Sequence, residues 1–207
     1  MNERFYDLSR EKQDRFINAA CKLFAENGYK KASTDDIVKE AGISKGLLFH
    51  YFGSKQGLYL YVYEYSTRYV RMEYDRSIPI EGMDFFELQR HLELAKRNII
   101  RSYPYMTLFI QRAFRETDEQ LLDLLAENMD AYTALIAEVY SRATVTRFKP
   151  DVDPSDVLKL CLFTSDGLLN DQFLSGRLDP DAFLEESLKY LALLEKNLYP
   201  AQGTETF

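Results

Sequence analysis

The chain has 207 residues, 46% of them hydrophobic and 29% charged, with a formal charge of −7 and a pI near 5.0. This is the composition of an ordinary soluble chain able to bury a sizeable core, and no apolar run approaches the roughly 18 residues of a membrane-spanning helix. The acidic balance argues against nucleic acid for the chain as a whole, but residues 1–57 hold ten Lys and Arg against eight Asp and Glu, whereas the rest holds 16 against 25. A slightly basic head on an acidic body suits a DNA reader whose other part repels phosphate.

The opening MNERFYDLSREKQ is polar and charged and reads as no signal peptide, so the expected compartment is the cytoplasm. Ser9 is placed to cap a first helix reaching about Asn27, with Phe16, Ile17, Ala20, Leu23 and Phe24 at three- and four-residue spacing. Gly28 stands just past its end. Ser33-Thr34-Asp35-Asp36 is a cap signature for a short helix to Ala41, which Gly42 stops. Ser44 caps another short helix to Phe52, and Ser54 starts a tyrosine-rich one to about Arg76. Gly57 is expected to loosen its first turn, at up to about 1 kcal/mol.

Beyond Ser77-Ile78-Pro79 the composition turns acidic. Asp84 with Glu87 opens a helix to about Ser102, broken at Tyr103-Pro104 because a residue before proline avoids the α region. A helix to about Glu116 follows, and Thr117-Asp118-Glu119-Gln120 is a capping box for one reaching about Arg142. The stretch 143–152 reads as loop. Asp153-Pro154 and Asp179-Pro180 place proline at the first position of two last helices, about 154–175 and 180–198. The expectation is nine helices and no strand. Cys21 and Cys161, with no CxxC, read as reduced core residues.

The segment Ser33–Lys55 carries the chemistry. Two short helices joined through Gly42 have helix-turn-helix spacing. Ile37, Val38 and Ala41 form the inner face of the first, Ile43 plugs the corner, and Leu48 and Phe52 form the inner face of the second. Lys45, Gly46, Phe49 and His50 must then face out. Lys donates to guanine, His reaches a base edge or phosphate, an aromatic meets a thymine methyl, and Gly46 lets the helix start lie close to DNA. The helix start itself favours phosphate.

This stretch resembles the DNA-binding domain of the TetR family. Phe24-Ala25-Glu26-Asn27-Gly28-Tyr29 is similar to the family's end of helix one. Ser33, Thr34, Ile37, Ala41-Gly42-Ile43-Ser44-Lys45-Gly46, Leu48-Phe49-His50-Tyr51-Phe52 and Ser54-Lys55 follow its later pattern, over about residues 9–60. The resemblance implies an all-α, nine-helix architecture. A three-helix DNA-binding domain at 1–55 would be linked through a long helix at 54–76 to a ligand-binding and dimerisation domain at 56–207. It implies phosphate contact by Ser33 or Thr34, an approach of Lys45 and Gly46, next to Ser44, to base edges, base or backbone contact by Phe49 and His50, and phosphate contact by Tyr51 and Lys55. His50 stands one position earlier than in the family's order, which leaves open whether His50 or Tyr51 meets a base.

The same resemblance implies a homodimer through the last two helices. Leu158, Leu162, Leu169 and Phe173, with Phe183, Leu188 and Leu191, are the candidate interface, although an intramolecular core would use the same residues. A twofold dimer calls for a pseudo-palindromic operator. Among the 15 Tyr and 14 Phe, Tyr65, Tyr103, Tyr105, Phe109 and Phe163, with Asp166, are candidate walls for a bulky, apolar, cationic effector. No cofactor, metal or membrane partner is expected: His91 with Glu87, four apart, reads as a surface pair rather than half a metal site, and no GxSxG, P-loop or HExxH points to an enzyme. The expected function is a ligand-responsive repressor. A DNA-binding regulator without effector and a helical dimeric sensor without DNA binding are the alternatives.

Overall fold

The computed structural model describes residues 5–79 and 82–200; the outer ends of both expected domains, 1–4 and 201–207, lie outside it. Among the described residues the chain forms nine helices: α1 (Arg10–Lys31), α2 (Thr34–Ala41), α3 (Lys45–Phe52), α4 (Lys55–Ser77), α5 (Phe85–Ser102), α6 (Met106–Ala113), α7 (Glu119–Tyr140), α8 (Pro154–Leu174) and α9 (Pro180–Leu198). The caps account for most of these boundaries. Ser33 accepts from the Asp35 amide, Ser44 from Leu47, Asp153 from Ser155, and Asp179 from Asp181 and Ala182. Asp84 and Glu87 bond reciprocally through each other's amides at 3.0 and 2.8 Å, a closed capping box. At α7 the cap is Asp118 rather than Thr117, accepting from Leu121 at 3.1 Å. Ser9 sits at the head of α1 without a side-chain cap bond.

One expectation is corrected. The stretch 143–152 is not all loop: β2 (Ala143–Thr144) pairs in parallel with β1 (Met83–Asp84), with Met83 opposite Ala143. Two residues a side are too few for any sequence alternation to announce. The chain also folds as two compact units. One comprises 1–72 with 99–135 and the other 73–98 with 136–207, so α4, α5 and α7 contribute to both.

In the first unit, α1 packs on α2 and α6. Gly28, at φ 71°, interrupts the helical backbone of α1, which resumes for one turn to Lys31. The core is aromatic. Phe5, fully buried, meets Phe16, Tyr51, Phe52 and Tyr61 with ring centres 5.2–5.7 Å apart. A second cluster joins Phe24, Tyr59 and Phe109. In the second unit Phe85, Phe86, Val157, Cys161, Leu191 and Tyr199 form the core. Within it the carboxylate of Glu93 accepts from Ser165 and pairs with Lys96, which removes the cost of a bare buried charge.

Both cysteines are free and buried, as expected. Burial pushes each thiol up to about 12, so neither is a nucleophile near neutral pH. No helix among the described residues is long and apolar enough to cross a membrane.

Candidate nucleic-acid interface

The turn between α2 and α3 is built by Gly42, whose backbone is left-handed at φ 65° and ψ 38°. Only glycine adopts that conformation readily. Its amide and that of Ile43 bond back to Lys39 and Val38 at 3.3 and 3.0 Å, closing α2 before α3 begins. Ile37 and Leu48 are fully buried and lock the two helices together, with Val38 and Ala41 also buried. Phe52 stacks on Phe16 at 5.2 Å and 20°. With that inner face fixed, α3 presents Lys45, Gly46, Leu47, Phe49 and His50 outward.

Leu47 and Phe49 are each 40% exposed. Two large apolar side chains held in water on one eight-residue helix are unfavourable without a partner. Leu47 had no place in the sequence-based set, because a leucine beside Leu48 reads as core. Gly46 has helical backbone, and a Cβ there would meet only the Ser44 hydroxyl, at 3.9 Å. The fold therefore gives no packing reason for a residue that costs a helix about 1 kcal/mol relative to alanine.

Tyr51 and Lys55 stand differently from expectation. Tyr51 is buried, its ring against Phe5 and Phe52, because it falls on the inner arc of α3 between Leu48 and Phe52. The Lys55 ammonium donates to the carbonyls of Tyr29, Lys30 and Ala32 at 2.8, 3.3 and 3.3 Å and lies over the Tyr29 ring. It caps the end of α1 instead of standing free for a phosphate. Ser33 and Ser44 spend their hydroxyls as helix caps. Lys45 is outward but pairs with Asp35 at 2.8 Å, both side chains being exposed. Thr34 is half-buried at the start of α2. Gly57 loosens nothing, because a Cβ there would collide with the Phe52 carbonyl; the α3–α4 corner requires glycine.

The six ligand candidates fall in both units. In the first unit, the hydroxyls of Tyr65 and Tyr103 lie 2.5 Å apart, Arg10 donates to both, and Tyr103 donates to Asp14. Desolvation, then the Asp14 contact, holds the Tyr103 phenol neutral well above its usual range. Tyr65 also lines a cavity of about 310 Å³ with Tyr6, Arg10, Tyr61, Tyr69 and Met72. Phe109 is fully buried core, and Tyr105 is half-buried with Lys22 over its ring. In the second unit Asp166 is half-buried, whereas Phe163 is 72% exposed.

The interface candidates separate in the same way. Leu169, Phe183 and Leu191 are buried within the single chain, Leu158, Phe173 and Leu188 are half-buried, and Leu162 is exposed. With Leu162, the outward apolar residues of these two helices are Leu160, Phe163, Leu174 and Leu193. On α8 the inner stripe is Val157-Cys161-Ser165-Leu169, and Leu160, Phe163, Gly167 and Leu174 form a second stripe on nearly the opposite side of the helix. Glu87 closes its capping box, and His91 Nδ1 donates to the Ser77 carbonyl at 2.9 Å, so both serve helix ends.

Known proteins carry the same pattern. The family of bacterial regulatory proteins called tetR matches residues 16–62, which span α1 to the first third of α4. The HTH-type regulator YuxN of Bacillus subtilis is 45% identical over 56 residues, 27% of this chain and 19% of that protein. YerO, from the same organism, is 28% identical over 148 residues, 60% of this chain and 50% of that one. The chain thus spans half or less of the length of these curated relatives. A TetR family transcriptional regulator from Chloroflexus aurantiacus superposes with a TM-score of 0.61 at 21% identity, covering 97% of this chain and 99% of that one. The regulator FadR from Bacillus subtilis, solved in complex with stearoyl-CoA, superposes at 0.52 with 16% identity, over 86% and 96%. At these identities the superpositions speak for the fold.

Proposed function

We propose, from the match of residues 16–62 to the tetR family of bacterial regulatory proteins, that this chain is a TetR-type cytoplasmic repressor that binds a pseudo-palindromic operator as a homodimer and is released by a small-molecule effector. The observation that carries the reading is α3: Gly46, Leu47, Phe49 and His50 turned to water on a helix whose other face is locked by buried Leu48. An apolar outer face flanked by a donor ring and a Gly-lined start fits a major groove, where apolar groups meet thymine methyls and His meets a base edge.

The outward stripe of α8 supports dimerisation. Leu160, Phe163 and Leu174 flank Gly167, where a Cβ would touch nothing within 4 Å; a bare backbone inside an apolar stripe admits a close second helix. A twofold dimer reading successive half-sites calls for two reading helices about 34–36 Å apart, one turn of DNA. Release requires an effector that binds the DNA-incompetent form better. The stearoyl-CoA complex of the FadR fold neighbour supports a ligand-responsive body in general terms.

The test is fluorescence anisotropy on the DNA upstream of the protein's own gene, at two salt concentrations, against random competitor. Competitor-resistant, salt-sensitive binding of two chains per site is expected, followed by loss of that binding on adding effector from a screen. If neither that DNA nor sites selected from a random pool are bound beyond competitor, the repressor reading fails.

A further inference from the structure

We propose that Lys12 and Arg15, two residues of α1 outside the helix-turn-helix, form the phosphate clamp that seats α3 on DNA. The proposal rests on the DNA-binding reading above and names which side chains hold the backbone.

The argument starts from where positive charge is free. In the first unit Arg10 pairs with Asp14, Lys22 with Glu40, Lys30 with Asp118 and Lys45 with Asp35. Lys55 is consumed by three carbonyls. Between residues 5 and 62 the described cations with no acid and no carbonyl partner are Lys12, Arg15, Lys31 and Lys39. Of these, two stand together. Lys12 and Arg15 are exposed, three residues apart on one side of α1, where helical neighbours share a face.

Their place in the fold gives the pair its role. Both line a cavity of about 270 Å³ whose other walls are Leu8, Phe16, Tyr51, Gly42, Ile43, Ser44 and Leu47. The floor is apolar core, the far rim is the start of α3, and the near rim carries the two cations. The Arg15 guanidinium lies about 3.8 Å from where a Gly42 side chain would begin, so it rests on the helix-turn-helix corner itself. Leu47, exposed at the rim, belongs to the outward face of α3. A nucleic-acid strand passing that face crosses the cations next. Arg offers a planar fork that grips a phosphate with two bonds, and Lys a mobile point charge. The Lys45–Asp35 pair carries no net charge, so Lys12 and Arg15 supply the unopposed attraction beside α3.

Phosphate contacts are sequence-independent and leave a salt signature: each one lost lowers the slope of log affinity against log salt by about 0.9, roughly eightfold at 0.1 M salt. The intact protein and its Lys12→Gln, Arg15→Gln, Lys12→Arg, Arg15→Lys and Lys189→Gln variants are titrated with two duplexes, one of random sequence and one selected from a random pool by the intact protein. Lys12→Gln and Arg15→Gln are expected to flatten the slope by about 0.9 per bound chain on both duplexes, with equal fold-losses. The charge-keeping variants and the Lys189→Gln control should hold the parent slope. Helix content and melting temperature report folding; if Arg15→Gln unfolds, Lys12→Gln decides the matter with Arg15→Lys as its folded companion. Unchanged slopes in a protein that still binds overturn the clamp and leave DNA reading intact, as does a loss confined to the selected duplex. No salt-dependent binding of the parent to either duplex overturns both.

Discussion

The Lys55 ammonium lies 2.8 Å from the carbonyl oxygen of Tyr29 and 4.7 Å from the centre of its ring. With Lys30 and Ala32 also accepting from it, its three protons serve the final turn of α1. Lys55→Met should therefore act on stability, by about 1–3 kcal/mol for lost charge-assisted bonds to carbonyls. The salt slope of DNA binding should stay at the parent value. Urea unfolding and a salt titration check the two halves, and a slope lower by about one unit would give Lys55 back to a phosphate.

The contrast between Lys55 and Gly42 shows how far residue patterns reach. Caps, glycines and prolines were legible because they act locally: Ser33, Ser44, Asp153 and Asp179 bond to amides two or three residues away. The buried face of α2 was legible because Ile37, Val38 and Ala41 repeat at helical spacing. What failed was set by distant partners. Nothing near Lys55 announces the end of α1, and nothing in the polar opening segment marks Phe5 as core. On α8 both stripes carry leucine, and the helix's own sequence does not mark Leu169 as buried and Leu174 as exposed. Tyr51 was misplaced because a three-residue step along α3 still lands on the inner arc beside Leu48.

Asp35 neutralises Lys45 on the outward side of the helix-turn-helix, at 2.8 Å. Exposed pairs of this kind contribute about 0–1 kcal/mol, so a phosphate or base can compete for the lysine. Asp35→Asn is expected to tighten binding to any duplex and steepen the salt slope by about 0.9 per bound chain. It should also cost a few tenths of a kcal/mol of stability, from loss of an acid in the first turn of α2. Salt titration of the variant tests this; a parent-like slope would mean that Lys45 meets no phosphate even when freed.

Gly46 sits in helical backbone with open space where a side chain would start. Gly46→Ala should raise stability by about 0.5–1 kcal/mol and weaken binding to the selected operator at least tenfold, because the methyl group occupies the approach to the bases. Paired unfolding and anisotropy measurements separate the two effects. Operator affinity equal to the parent's would remove Gly46 from the interface.

Leu174 and Leu169 lie on one helix with opposite surroundings, 83% and 0% exposed. Leu174→Asp should leave chain folding nearly unchanged and shift the sedimentation of the protein from dimer to monomer. Leu169→Ala should lower stability by about 2–5 kcal/mol, the range for an emptied leucine site in a packed core. Sedimentation equilibrium with urea unfolding reads both. A dimer as tight as the parent's in Leu174→Asp would put the interface elsewhere.

Alkaline pH should weaken the fold before it ionises the native state. Desolvation pushes the Cys21 and Cys161 thiols up to about 12, whereas an unfolded thiol titrates near about 8.5. A raised folded value means the contribution is fully present below the unfolded pKa and is lost as pH rises toward the folded one. Between these limits the unfolded chain sheds protons that the native chain keeps. The expected fall in unfolding free energy between neutral pH and about pH 9.5 is about 3 kcal/mol for the two thiols together. The buried phenols of Tyr59, Tyr63 and Tyr74, also held neutral by desolvation, steepen the fall above about pH 10. Urea midpoints across that range test it, and Cys21→Ala should remove about half of the first fall. A flat profile to pH 9.5 would mean that water reaches both thiols in the native state.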